Sequence, residues 1–259
     1  MNENVIRRTI SLVHEAGKIA KDDSLRKEVA MKGNCDFVTA VDTGISAFLK
    51  EKLKNVVPGA AFFCEEEDGA LKDPCWILDP IDGTTNLVYG YPFSSVSLAF
   101  YEKSEIVFGV VYNPFSEETF FAEKGKGATL NGERISVSER PLQQALIEFG
   151  AGSTRKKEAD ANFSFALELF KECVDLRRVC SSALDLCFIA SGRIDGYFEK
   201  VLKPWDIAAG SLILSEAGGV ITDYHGNPVR FEGPTSVVAG NVPVHGAILG
   251  KIGGHIHET

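Results

Sequence analysis

The run WILDPIDGTTN, residues 76–86, decides how this chain is read. Trp76, Ile77 and Leu78 form a short apolar strand with Asp79 at its end. Pro80 lacks an amide hydrogen and biases the residue before it towards extended backbone. The chain therefore leaves the strand through a rigid turn, with Asp79 and Asp82 near its tip. Gly83 lets backbone approach a ligand closely. Thr84, Thr85 and Asn86 are residue types that cap helix starts. A helix beginning here would aim free amides and the positive end of its dipole at the same spot. Carboxylates beside an anion-binding helix start are a contradiction unless cations lie between them. Hard divalent ions bridging carboxylates and a phosphate resolve it. The plain alternative is a turn with solvated acids, and the apolar strand leading straight into D-P-I-D-G-T-T counts against it.

Three further acidic features flank this run at a distance. Glu65-Glu66-Glu67-Asp68 lies just before it. Alone, a charge run reads as a solvated face. Asp42 follows Phe37-Val38-Thr39-Ala40-Val41 and opens a helix. Far downstream, Lys203-Pro204-Trp205-Asp206 precedes the apolar run 207–217, which closes on Gly218-Gly219. Asp206 is a natural N-cap there. As caps, Asp42 and Asp206 need no other role.

The rest of the chain alternates between two textures. Val5, Ile6, Ile10, Val13, Ala16, Ile19 and Ala20 make a helical stripe. A second helix spans about 42–53 and stops at Pro58-Gly59. Residues 61–64 and 76–78 are short strands. Residues 94–135 read as an antiparallel meander whose last turn is Asn131-Gly132, a hairpin signal, with RISV as the returning strand. The second half mixes helices (161–173, 182–191, 207–217, and a last one after Val242) with extended runs (176–180, 194–199, 219–222, 236–239). Helices alternating with strands beside a separate antiparallel run predict a layered α/β or α+β sandwich. No repeat or linker is visible. Residues 1–259 read as one compact unit with interlocked halves, about 1–140 and 141–259.

Composition sets the outer bounds. The chain has 259 residues, 44% hydrophobic and 24% charged, which excludes wholesale disorder and coiled coil. Its net charge of -9 is opposite to what phosphate-backbone binding needs, so nucleic acid is not an expected partner. No run of about 18 apolar residues predicts a membrane helix, and the first residues lack the pattern of a secretory signal. Six cysteines without a C-x-x-C pair fit a reducing cytoplasm, mostly as small buried hydrophobes.

Taken together, Glu65-Glu66, WILDPIDGTTN and WDIAAGSLILSEAGG (205–219) resemble the metal-site motifs of the inositol monophosphatase family, Mg2+-dependent and Li+-sensitive phosphomonoesterases. The resemblance runs from Lys32 to Asp223. It implies the family's layered αβαβα sandwich, usually a homodimer. It implies that Glu65, Asp79 and the carbonyl of Ile81 hold a first Mg2+, and that Asp79, Asp82 and Asp206 hold a second. Glu65, with Glu66, would help a weaker third ion, and Mn2+ would be a substitute. Gly83 and Thr84 would bind phosphate through backbone amides, with Lys32 closing over the site. Thr84 and Asp42 would polarise the attacking water. Glu199 and the segment Cys180-Ser181-Ser182 would face the substrate. The implied substrate is a small sugar or polyol phosphate, inositol 1-phosphate first, with fructose 1,6-bisphosphate and nucleotide 3'-phosphates as alternatives.

The chain departs from the family pattern at Cys64, Leu87 and Cys180, none of them an implied metal ligand. Two other motifs compete for attention. Cys187 to Arg193 has the C-x5-R spacing of cysteine-dependent phosphatases, but bulky apolar residues fill it, so Cys187 reads as a buried structural thiol. His255 and His257 read as a frayed tail. The rival from another class is a sugar-phosphate-binding protein that keeps the fold without turnover.

Overall fold

A computed structural model describes residues 1–33, 36–67, 69–152 and 156–255; the side chains of residues 32, 33, 36 and 253–255 lie outside this description. Helix α1 (Glu3–Ala20) buries Ile6, Leu12, Val13, Ala16 and Ala20, the predicted stripe, and Asn2 caps it by accepting from Val5 N at 2.9 Å. A single turn, α2 (Asp23–Arg26), leads into an antiparallel ribbon of β1 (Val29–Gly33) and β2 (Asp36–Thr39). The ribbon feeds α3 (Ala40–Leu53), whose N-cap is Thr39.

A seven-stranded sheet follows. Its strands lie in chain order: β3 (Ala61–Cys64), β4 (Cys75–Asp82), β5 (Ser95–Glu102), β6 (Glu105–Asn113), β7 (Glu118–Glu123), β8 (Ala128–Leu130) and β9 (Glu133–Arg134). All neighbours are antiparallel except β3 with β4. Helix α4 (Thr84–Tyr89) sits between β4 and β5. Two expectations change here. Strand β4 does not end at Asp79 but continues through Asp82, with an irregularity in its pairing to β5 between those two acids. The returning strand after Asn131-Gly132 stops at Arg134, because Val137 N turns away to bond Ala217 O.

The second sheet has the order β11-β10-β12-β14-β13. It is built from β10 (Leu146–Phe149), β11 (Asp175–Arg177), β12 (Gly196–Leu202), β13 (Val220–Thr222) and β14 (Thr235–Gly240). Helices α5 (Ala159–Phe170), α6 (Ser182–Ala190), α7 (Pro204–Glu216) and α8 (Val242–His255) alternate with them. β10 runs parallel to β11 and β12, and the remaining pairs are antiparallel.

Burial alternates along the strands and fixes the layers. On β4, Trp76 and Leu78 face a core shared with α1 and α3, whereas Cys75 and Ile77 face a second core built with α6 and α7. That second core continues to Tyr197, Val237 and Ala239 of the other sheet. The outer face of the second sheet, through Ile147, Phe198 and Val238, is covered by α5 and α8. Helix, sheet, helix, sheet, helix: this is the αβαβα sandwich. Helix α7 lies so close to β6 that a Cβ on Gly109 would meet Ala209 O at 2.8 Å. Among the described residues no helix is long and apolar enough to cross a membrane.

Candidate active site

The far end of β4, α4 and the starts of α6 and α7 border a cleft of about 350 Å³. Glu65, Asp79, Ile81, Asp82, Gly83 and Thr84 form one wall, and Cys180, Ser182, Glu199 and Asp206 line it from other elements. Residues more than a hundred positions apart thus meet at one place.

Asp79 is 2% exposed, and its Oδ1 has no hydrogen-bond partner. Burial, then repulsion from Glu65, Asp82, Asp206 and Asp42, holds its carboxyl well above the usual range. Asp82 is pushed up to about 6 by burial, against hydrogen bonds that favour its charged form. Ser181 Oγ and Ala183 N each donate to Asp82 Oδ2 at 2.7 Å, so the start of α6 is a cradle for this acid. Asp206 is raised well above normal by burial, then by Asp82.

Asp206 is not the N-cap that its sequence context predicts. Pro204 can occupy the first turn, since an amide there needs no partner, so α7 starts earlier and Lys203 takes the cap position. Asp206 then stands third in the helix and accepts Lys203 N through Oδ2 at 2.7 Å. Asp42 repeats this arrangement on α3, accepting Thr39 N through Oδ2 at 2.8 Å. In Asp42 the other oxygen, Oδ1, accepts from Thr84 Oγ1 at 3.2 Å. Thr84 Oγ1 also lies 3.0 Å from Ile81 O, and its single proton can serve only one of the two at a time. Burial raises the Asp42 carboxyl, against the Thr39 hydrogen bonds.

Gly83 has φ of +89°, and a Cβ there would meet Phe93 O at 2.8 Å. Asn86 is no cap. Its Nδ2 donates to Phe93 O at 2.7 Å and to Val179 O at 2.8 Å, tying α4 to the irregular segment that follows β11 and enters Cys180. Cys180 is exposed at the cleft with φ of +63°, a conformation easier for glycine, so it is not one of the buried thiols. Cys64, Cys75 and Cys187 are buried, and burial raises the Cys187 thiol well above its usual range, opposite to what a nucleophile needs. Glu199 accepts from Tyr197 OH, which also contacts Ser182 Oγ at 3.1 Å.

Glu66 does not line the cleft; its charge is felt at Asp42. The Lys32 side chain, and the tail beyond residue 255 with His257, lie outside the described residues. Sequence reasoning missed Arg178, Lys203 and the wall at residues 150–152. The glycines at 150 and 152 were the available sign: a Cβ on Gly150 would overlap the Glu199 carboxylate.

All these acids offer hard oxygen donors, which suit a hard divalent cation, and Asp79 Oδ1 is a buried acceptor in want of one. Among the described residues no three such side chains close around a single point, so they line the cleft as a set and not as a finished cage.

The five-layer sandwich with this acid-lined cleft defines a phosphomonoesterase. The sequence profile of the inositol monophosphatase family matches residues 1–258, and the chain belongs to that family. A curated relative from Vibrio cholerae, Nus factor SuhB, is 40% identical over 224 residues, covering 84% of each chain. The Thermotoga maritima IMPase superposes with a TM-score of 0.88 at 31% identity, covering 97% of this chain and 98% of that one. SaIMPase-II from Staphylococcus aureus, solved bound to inositol monophosphate, has a TM-score of 0.83 at 25% identity, covering 96% and 94%.

Proposed function

We propose that this chain hydrolyses a small sugar or polyol phosphate in a Mg2+-dependent reaction, with inositol 1-phosphate as the first substrate to test. The observation that carries the metal dependence is Asp79 Oδ1, buried without a partner among Glu65, Asp82 and Asp206. Glu65, Asp79, Asp82, Asp206 and the Ile81 carbonyl are the residues that would hold two ions, with Glu66 assisting a third. Bound divalent ions neutralise the phosphate and the leaving oxygen and bring water towards ionisation near neutral pH.

The chain's own groups do the rest. Thr84 Oγ1 accepts a proton from the attacking water as it donates to Asp42 Oδ1, which its bond to Thr39 N holds in place. Gly83 and Thr84 amides, with Lys32, receive the phosphate. Glu199, anchored by Tyr197, receives substrate hydroxyls beside Cys180 and Ser182; Ser181, expected to face the substrate, is buried and gives its hydroxyl to Asp82. Fructose 1,6-bisphosphate and nucleotide 3'-phosphates are the alternatives within the same chemistry. A sugar-phosphate-binding protein that keeps the fold without turnover is the reading the assay must exclude.

The working unit is one domain of two interlocked halves, cytoplasmic and homodimeric. Phe163, Leu167 and Phe170 support the dimer: all three are half-exposed on one face of α5.

Phosphate release from inositol 1-phosphate, fructose 1,6-bisphosphate and adenosine 3',5'-bisphosphate tests this, each with Mg2+, with chelator, and with Mg2+ plus Li+. Turnover that chelator abolishes and Li+ inhibits is expected. Mg2+ binding without turnover on any compound would favour the binding-only reading.

A further inference from the structure

Arg178 has no role in the reaction above, yet it lines the same cleft. Its guanidinium lies 5.4 Å from the centroid of the Phe149 ring and 5.9 Å from that of Phe163. The two rings stand edge to face, 5.6 Å apart. Among the described residues Arg178 makes no ion pair, while its neighbour Arg177 is paired with Asp175. Arg178 is therefore a permanent, unspent charge, with its guanidinium held against two phenyl rings. Its charge is felt at Cys180 and Glu199.

The sign is unusual for this place. The acids of the cleft are Glu65, Asp79, Asp82, Asp206 and Glu199, and the other cation, Lys203, caps α7 with its amide bonded to Asp206. A neutral polyol needs hydroxyl acceptors, which Glu199 supplies. It does not need an unpaired guanidinium, whose strongest partners are carboxylates and phosphates bound through two parallel hydrogen bonds. Glu199 also bars an anion from its own neighbourhood, so a second anion on the substrate is directed past it to Arg178.

We infer that Arg178 is a specificity-determining residue that receives a second anionic group of the substrate. Favoured substrates are phosphomonoesters with a hydroxylated middle and a phosphate or carboxylate at the other end. This inference rests on the phosphatase reading of the same cleft.

The test uses two matched pairs that differ only in the distal anion. They are fructose 1,6-bisphosphate against fructose 1-phosphate, and 2-phosphoglycerate against glycerol 2-phosphate; the two pairs differ in reach. The readout is the ratio of kcat/KM within each pair. In the native protein at least one pair should favour the anionic member by about tenfold. Arg178→Ala should bring that ratio close to one, through KM, and Arg178→Lys should fall between, because a point charge replaces the fork. High salt should lower the native ratio and leave that of Arg178→Ala unmoved. Lys124→Ala, which removes an exposed cation paired with Glu105 away from the cleft, should keep the preference. A native ratio near one in both pairs overturns the inference while leaving the phosphatase reading intact. So does an equal ratio in native and Arg178→Ala proteins. Absence of Mg2+-dependent turnover on all four compounds counts against the phosphatase reading and removes the inference with it.

Discussion

Asp79 and Asp185 are each 2% exposed, but their burial is resolved in different ways. Asp79 faces other carboxylates at the cleft and keeps an oxygen without a partner. Asp79→Asn removes a carboxyl that the metal-free protein can neutralise only by taking up a proton. We expect turnover to fall by orders of magnitude, while the melting temperature in chelator rises by about 2–4 °C, the shift that ~1 kcal/mol produces in a chain of this size. Near-native turnover would remove Asp79 from its proposed bridging role. Asp185 also keeps an oxygen without a partner, but its neighbour is Glu148 inside the protein, and burial, then Glu148, holds its carboxyl well above the usual range. Glu148 is raised as well, by burial. Two buried carboxylates cannot both ionise, so the native pair keeps a proton that the unfolded chain releases near pH 4. The native state then binds more protons, and its stability declines as pH rises through the pair's native pKa. In chelator, the native melting temperature should fall between pH 5 and 8 more steeply than that of Asp185→Asn. Parallel curves would rule the pair out as a source of pH dependence.

At the scale of elements, the site depends on how helices begin. Gly83, the N-cap of α4, holds a left-handed backbone against Phe93 O. Gly83→Ala adds both a strained φ and a close contact, costing about 1–2 kcal/mol for the conformation alone. Its kcat/KM should fall by at least tenfold with the melting temperature lowered. Unchanged kinetics would mean that α4 can start elsewhere without consequence. The helices and the meander were legible because their apolar spacing is regular. The acids at 79 and 82 were legible because Pro80 and Gly83 punctuate them. Strand β10 escaped notice because Leu146, Ile147 and Phe149 surround a buried glutamate, which breaks the apolar run. The ribbon β1–β2 is mixed in polarity and carried no period. Arg178 could not be read as a site residue, because its place depends on Phe149 and Phe163, distant in sequence and brought together only by packing. Asp42 and Asp206 were legible as helix-start acids but read as caps, whereas each stands three positions past the cap and braces it from inside the helix.

For the whole molecule, the outer layer is uneven. Helix α5 covers the second sheet with Phe165 and Leu169 while presenting Phe163, Leu167 and Phe170 outwards. Changing Leu167 and Phe170 together to Glu should convert a dimer into single chains in sedimentation experiments without lowering the melting temperature of the isolated chain. A native protein that already sediments as single chains would refute the dimer.

The cleft draws on Glu65 just past β3, Asp79 and Asp82 from β4, Ser181 from the start of α6 and Asp206 from the start of α7. On the ribosome these segments emerge in that order, and the last arrives only when four-fifths of the chain has been made. Until then the early acids have neither their cradle nor their final partner. The cleft's wall of acids is therefore complete only once most of the chain exists, and the early acids wait for Ser181 and for Asp206.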